Sequence, residues 1–233
     1  MTKMTKKALL STLLPPAALA AYGLALRPWF LRWGATDDEV AGPWPGDEIT
    51  PDAATQATRA ITIDAPASAI WPWIVQIGQD RGGFYSYAWL ENLFGARMRN
   101  ADRLLPDLPA RQVGDTVWLA TPEHYGGRGC QRIAFLIPER AMVLVSPADY
   151  DEVRRSGVAP HGAWTFLLHP VDERTTRLIL RSRGAADPGL AGRLWTALGF
   201  DPAHFIMERK MMLGIRERVV GEPRAARKLG AAA

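Results

Sequence analysis

The 233-residue chain is 48% hydrophobic and 22% charged, which excludes wholesale disorder and suits one domain of ordinary size plus an appendage. Its net charge of +4 sits largely at the ends, at Lys3, Lys6, Lys7, Arg224, Arg227 and Lys228. No run joins clustered Arg and Lys to a recognition-helix or RNA-binding motif, so no nucleic acid partner is expected. Cys130 is the lone cysteine, which excludes an internal disulfide and a multi-Cys zinc site.

Residues 8–26, ALLSTLLPPAALAAYGLAL, carry no charge. As a helix they reach about 28 Å at roughly 1.5 Å per residue, close to the ~30 Å hydrocarbon core of a bilayer. Lys6 and Lys7 precede the run; Arg27, Pro28, Trp29, Phe30 and Arg32 follow it as an interfacial aromatic and basic edge. This pattern predicts a single-pass membrane anchor within residues 1–33, kinked at Pro15-Pro16. A cleaved signal peptide competes, although the run is long and no clean A-x-A site closes it. The excess of Lys before the run favours an inside N-terminus; the side of the soluble domain stays open. Residues 34–57, rich in Gly, Pro and acids without a sustained period, read as an extended linker.

The folded unit spans residues 58–220 and starts with a strand in which Ile61 and Ile63 share one face. Pro66 suits the first turn of a helix running to about Ile77, bent at Pro72. A second short helix covers about Tyr87 to Phe94 and stops at Gly95. Between them, Asp80-Arg81-Gly82-Gly83 forms a loop beside many aromatics and would serve as the door of a cavity if those aromatics line one. Strands follow: a short one after Val113-Gly114-Asp115, then 131–137 and 141–146 around Pro138-Glu139-Arg140, then 162–170 and 174–183 around Val171-Asp172-Glu173. In the last, Leu178 and Leu180 alternate with Arg177, Ile179 and Arg181, as one covered and one wetter face would. Helices over 188–200 and 202–220 close the domain, and 221–233 form a basic tail.

This order, with the stretches AITIDAPASAIWPWIVQIGQDRGGFYSYAWLENL, Val113-Gly114-Asp115, Gly162-Ala163-Trp164-Thr165-Phe166 and HFIMERKMMLGI, resembles the SRPBCC superfamily. These are START-related helix-grip proteins that include polyketide cyclase/dehydrase-like members. The resemblance runs from about Arg59 to Glu217 and implies an α+β fold. A curved antiparallel sheet of six to seven strands would wrap a long C-terminal helix, with a deep apolar cavity between them. It specifies no reaction, since one fold hosts many functions.

At 100° per residue, Phe205, Met207, Met211, Met212, Ile215 and Val219 fall on one arc of the last helix. His204 and Glu208 project within that arc, four residues apart and therefore neighbours. One reading is structural: Glu208 reaches a strand arginine such as Arg181 or Arg183. The other makes the pair a ligand's polar anchor or an acid/base couple. Under the resemblance, Met207 and Met211 become cavity lining, Trp164 joins them, and Tyr85, Tyr87 and Trp89 lie at the cavity mouth. The competing reading of the three aromatics is a cluster that seats the second helix. His124, His161, His169 and His204 lack metal-ligand spacing, Gly126-Gly127-Arg128-Gly129 is a turn, and no nucleophile motif appears. No metal, cofactor or catalytic residue is therefore assigned. The expected function is a membrane-tethered helix-grip domain that binds a small hydrophobic or amphipathic ligand. The alternative is a cyclase/dehydratase-like enzyme using His204 and Glu208, or a tyrosine, in the same cavity.

Overall fold

The computed structural model describes residues 19–221. In chain order, a π-helical turn at Tyr22–Leu26 leads into α1 (Arg27–Leu31), followed by α2 (Asp37–Ala41) and β1 (Thr55–Ile63). Helices α3 (Ala67–Val75) and α4 (Ala88–Leu93) precede β2 (Thr116–Trp118), β3 (Cys130–Ile137) and β4 (Ala141–Val145). Helix α5 (Pro147–Ser156) comes before β5 (Gly162–Pro170) and β6 (Thr176–Gly184). Then α6 (Leu190–Trp195) passes through a π-helical Thr196–Phe200 into α7 (Asp201–Val220). The strands form one antiparallel sheet in the order β1-β6-β5-β4-β3-β2. This is the helix-grip arrangement.

Strand alternation explains the core. Ile61, Ile63, Ile133, Met142, Leu144, Phe166, Leu168, Leu178 and Leu180 face the same side and are buried. They pack against Ile70 and Ile74 of α3 and Met211, Met212 and Ile215 of α7. Helix α7 approaches so closely at Gly214 that a Cβ there would lie 2.3 Å from the Tyr85 carbonyl oxygen, so only glycine fits.

The other sheet face is not the wetter one expected from β6. Ala60, Ala141, Leu167 and Ile179 are buried there with Ala35 and Trp44 packed over them. The acid-rich segment before β1 packs along this face as a strap. Thr36 caps α2 in a reciprocal capping box with Glu39. Glu39 then takes a two-pronged ion pair from Arg177, Nε to Oε1 and Nη2 to Oε2, each 2.7 Å. Asp47 meets Arg181 at 2.6 Å and Arg183 at 3.2 Å. The arginines that gave β6 its polar alternation are thus covered, and the strap's acids supply their counter-charges. Helix α5, which the sequence reading missed, covers the rest of this face through Tyr150 and Val153. Its ends carry ordinary signals: Ser146 Oγ accepts from Asp149 N at 3.0 Å, and Gly157 has φ +81°.

Residues 8–18 of the apolar run lie outside the described residues. No helix among the described residues is long and apolar enough to cross a membrane. The border expected at the interface is partly drawn into the domain. Phe30 is buried and stacks on Phe205 with 5.5 Å between ring centroids. Trp29 meets the same ring edge-on at 5.5 Å. Arg27 holds Asp201 at 2.7 and 2.9 Å.

Candidate functional site

A cavity of about 960 Å³ lies between the concave sheet face and the first half of α7. Trp164, Ala57 and Ser182 form its sheet wall, while His204, Met207, Glu208 and Met211 form its α7 wall. Phe84, Ser86 and Glu91 close one side together with Leu119 and Gln131. Trp195, Thr196 and Phe200 border it from the segment ahead of α7, and Arg27 and Leu31 approach from the N-terminal side. Its volume and mixed lining, mainly apolar with a few convergent polar groups, are those of a small-molecule site.

The polar centre is a buried ion pair that sequence reasoning half anticipated. Glu208 does meet a strand arginine, but that arginine is Arg59 of β1 and not Arg181 or Arg183. Arg59 is 1% exposed and Glu208 2%. One guanidinium nitrogen of Arg59 contacts Glu208 Oε2, while its Nε donates to the Phe30 carbonyl at 2.8 Å. Glu208 Oε1 accepts from Trp164 Nε1 at 2.6 Å. His204 completes the group, with Nε2 3.4 Å from Glu208 Oε1 and Nδ1 3.5 Å from Arg59 Nη1. A neutral imidazole with its proton on Nε2 suits both neighbours. Burial lowers the His204 pKa; the Glu208 charge opposes this and the Arg59 charge reinforces it.

Five predicted site residues, Trp164, His204, Met207, Glu208 and Met211, therefore meet at one cavity. Tyr85, Tyr87 and Trp89 do not line it. Tyr85 is buried in the core, donates its hydroxyl to the Trp73 carbonyl at 3.0 Å, and lies beneath the Arg218 guanidinium. Tyr87 sits just before α4 and packs edge-to-face with Trp89, which is 69% exposed. The glycine loop is no door. Gly78 and Gly83 bond each other in both directions, at 3.2 and 2.8 Å, and the loop is not part of the cavity wall.

Glu91 was passed over. It follows the aromatic cluster on short α4, where one acid in a helical turn looks like ordinary surface. Its Oε2 is buried and has no hydrogen-bond partner, and burial raises its pKa to about 7. Among the described residues, no group of three His, Cys, Asp or Glu side chains is placed to hold a metal ion.

Solved structures similar to this chain include the Aha1 dimer from Colwellia psychrerythraea. It is 12% identical, with 72% of this chain and 98% of that chain covered and a TM-score of 0.42. A polyketide cyclase-like protein from Corynebacterium glutamicum is 17% identical over 74% of this chain and 91% of its own, with a TM-score of 0.30. The di-domain ARO/CYC BexL of the BE-7585A biosynthetic pathway is 16% identical over 71% of this chain and 46% of its own, with a TM-score of 0.39. At these identities and TM-scores the likeness carries no conclusion about family or role. No family model and no curated protein matches the chain.

Proposed function

We propose that the protein binds a small hydrophobic or amphipathic molecule in the cavity between the sheet and α7. The observation that carries this reading is the cavity itself, about 960 Å³, walled by Phe84, Leu119, Trp164, Met207 and Met211 with a few polar groups among them. Burial of ligand surface would drive binding at roughly 25 cal/mol per Å² of apolar area removed from water, before the costs of association. The methionines would let the wall adapt to ligands of different shape. The uncharged run before Arg27 supports a membrane tether for the same domain.

A cyclase- or dehydratase-like reaction resting on His204 and Glu208 has less support. Both Glu208 oxygens are already engaged, by Arg59 and by Trp164, and Tyr85 spends its hydroxyl in the core. A proton-transfer group needs access to a reacting atom.

The test is binding of a neutral apolar fluorescent dye to the full chain in detergent, with Met207→Trp as the cavity-filling variant. Dye affinity should fall several-fold while the melting temperature changes little. A marked fall in melting temperature with dye binding unchanged would mean close packing and no usable cavity.

A further inference from the structure

Most charged groups along the cavity wall are partnered. Arg27 pairs with Asp201, Glu208 with Arg59, Arg183 with Asp47, and His161 Nδ1 lies 2.9 Å from Asp149. Asp187 accepts a hydrogen bond from Thr196 Oγ1. Glu91 has nothing comparable. Two buried side-chain atoms among the described residues lack a partner, Glu91 Oε2 and Arg183 Nε. The Arg183 side chain is nevertheless held through Nη1 on the strap side. Among the described residues, no hydrogen bond or ion pair holds the Glu91 carboxyl. A half-buried carboxylate with one shielded, unpartnered oxygen is unfavourable unless it keeps a proton or gains a cation.

We propose that the cavity takes an apolar molecule bearing a protonated amine, and that the ammonium group is received by the Glu91 carboxylate. The inference rests on the ligand-binding reading above and names the chemistry of the ligand's polar end. Charge complementarity decides the sign: Asp187 has only the Thr196 hydroxyl, Glu91 has no partner at all, and neither lining carboxylate meets a cation among the described residues. A carboxylate accepts from an ammonium in a charge-assisted hydrogen bond, stronger than one from a neutral donor. Phe84 lines the cavity with Glu91 and stacks on Trp164, with 6.2 Å between ring centroids. Their faces offer a cation further favourable contact and present apolar surface to the rest of the ligand. An anionic end would meet the Glu91 charge, and the lining arginines Arg27 and Arg183 already hold Asp201 and Asp47.

The experiment uses the full chain and three probes of matched length, octylamine, octanol and octanoate, each displacing a neutral apolar dye. Octylamine should displace it at a concentration lower by about ten-fold or more than octanol, as a hydrogen bond to a charged group warrants, with octanoate the weakest. Glu91→Gln keeps the shape and removes the charge. It should abolish the advantage of the amine and leave octanol within about two-fold of its original affinity, since surface burial is unchanged. Equal displacement by all three probes, or an amine advantage that survives Glu91→Gln, overturns the assignment to Glu91 while leaving the cavity a binding site. Failure of the dye and every probe to bind overturns both readings.

Discussion

Replacing Glu208 with Gln isolates the strongest electrostatic commitment in the domain. The change keeps the side-chain shape and leaves Oε1 able to accept from Trp164 Nε1, 2.6 Å away in the parent. What it removes is the only carboxylate facing Arg59 among the described residues, with both side chains at or below 2% exposure. Breaking a buried pair by neutralising one member costs about 3–5 kcal/mol, because the other charge stays buried. The Phe30 carbonyl still accepts from Arg59 Nε at 2.8 Å, which places the expected cost at the lower end, about 3 kcal/mol. For a domain of this size that is a fall in melting temperature of roughly 6–12 °C. Urea denaturation measures it, with Arg59→Met, Glu208→Leu and their double variant completing a cycle. The double variant should be more stable than Glu208→Gln by about 1–2 kcal/mol, since it leaves no unpaired charge but does orphan the Trp164 indole N–H. A cost below about 1 kcal/mol for Glu208→Gln would refute the buried-pair account. So would a ten-fold loss of dye binding at unchanged stability, which would make Glu208 a ligand group.

On the outer face, Asp47→Ala leaves Arg181 without its carboxylate and should cost about 2–3 kcal/mol, read by the same denaturation assay. The loss stays moderate because the Gly42 carbonyl and Thr58 still contact the guanidinium at 2.9 and 3.1 Å. Glu91 sets a pH dependence. Its pKa is raised from 4.5 to about 7, so its contribution to stability is full below about pH 4.5 and is lost as pH rises through about 7. The ceiling is about 3 kcal/mol, or roughly 1–2 after allowance for solvent contact. Melts of parent and Glu91→Gln at about pH 5 and pH 8 should therefore show the variant gaining relative stability at the higher pH, and parallel behaviour would contradict the burial of Glu91. Full-length protein should fractionate with membranes; uncleaved protein recovered in the soluble fraction without detergent would oppose the tether.

The sheet was legible because its strands alternate and its turns announce themselves. Pro138-Glu139-Arg140 and Val171-Asp172-Glu173 fall between β3 and β4 and between β5 and β6. Helix α5 carried cap signals at Ser146, Pro147 and Gly157, but between them PADYDEVRRS offers no broad apolar stripe. Its apolar contacts with the core are Tyr150 and Val153, beside the buried Asp149, so a periodicity search passes over it. In the strap, local pattern offers only the Thr36–Glu39 capping box of a short helix. The strap's order comes from Glu39 and Asp47 meeting Arg177 and Arg181, which lie more than 130 residues away along the chain. Ion pairs at that separation leave no trace in a sliding window.

At the site, helical arithmetic found His204, Met207, Glu208 and Met211 because each occupies a definite angle on α7. It could not find Arg59, yet a signal existed. Arg59 shares its strand face with Ile61 and Ile63, which are buried, so it is a charge on an apolar face just as Glu208 is on α7. Each is anomalous alone, and a buried charge requires an opposite one. The fold brings the two anomalies together and they resolve each other, with the Trp164 indole taking the remaining carboxylate oxygen. Glu91 is the anomaly that finds no such mate among the described residues. Folding has already matched Glu208 with Arg59 and Asp201 with Arg27 at this cavity, so the mate for Glu91 is best sought in the ligand.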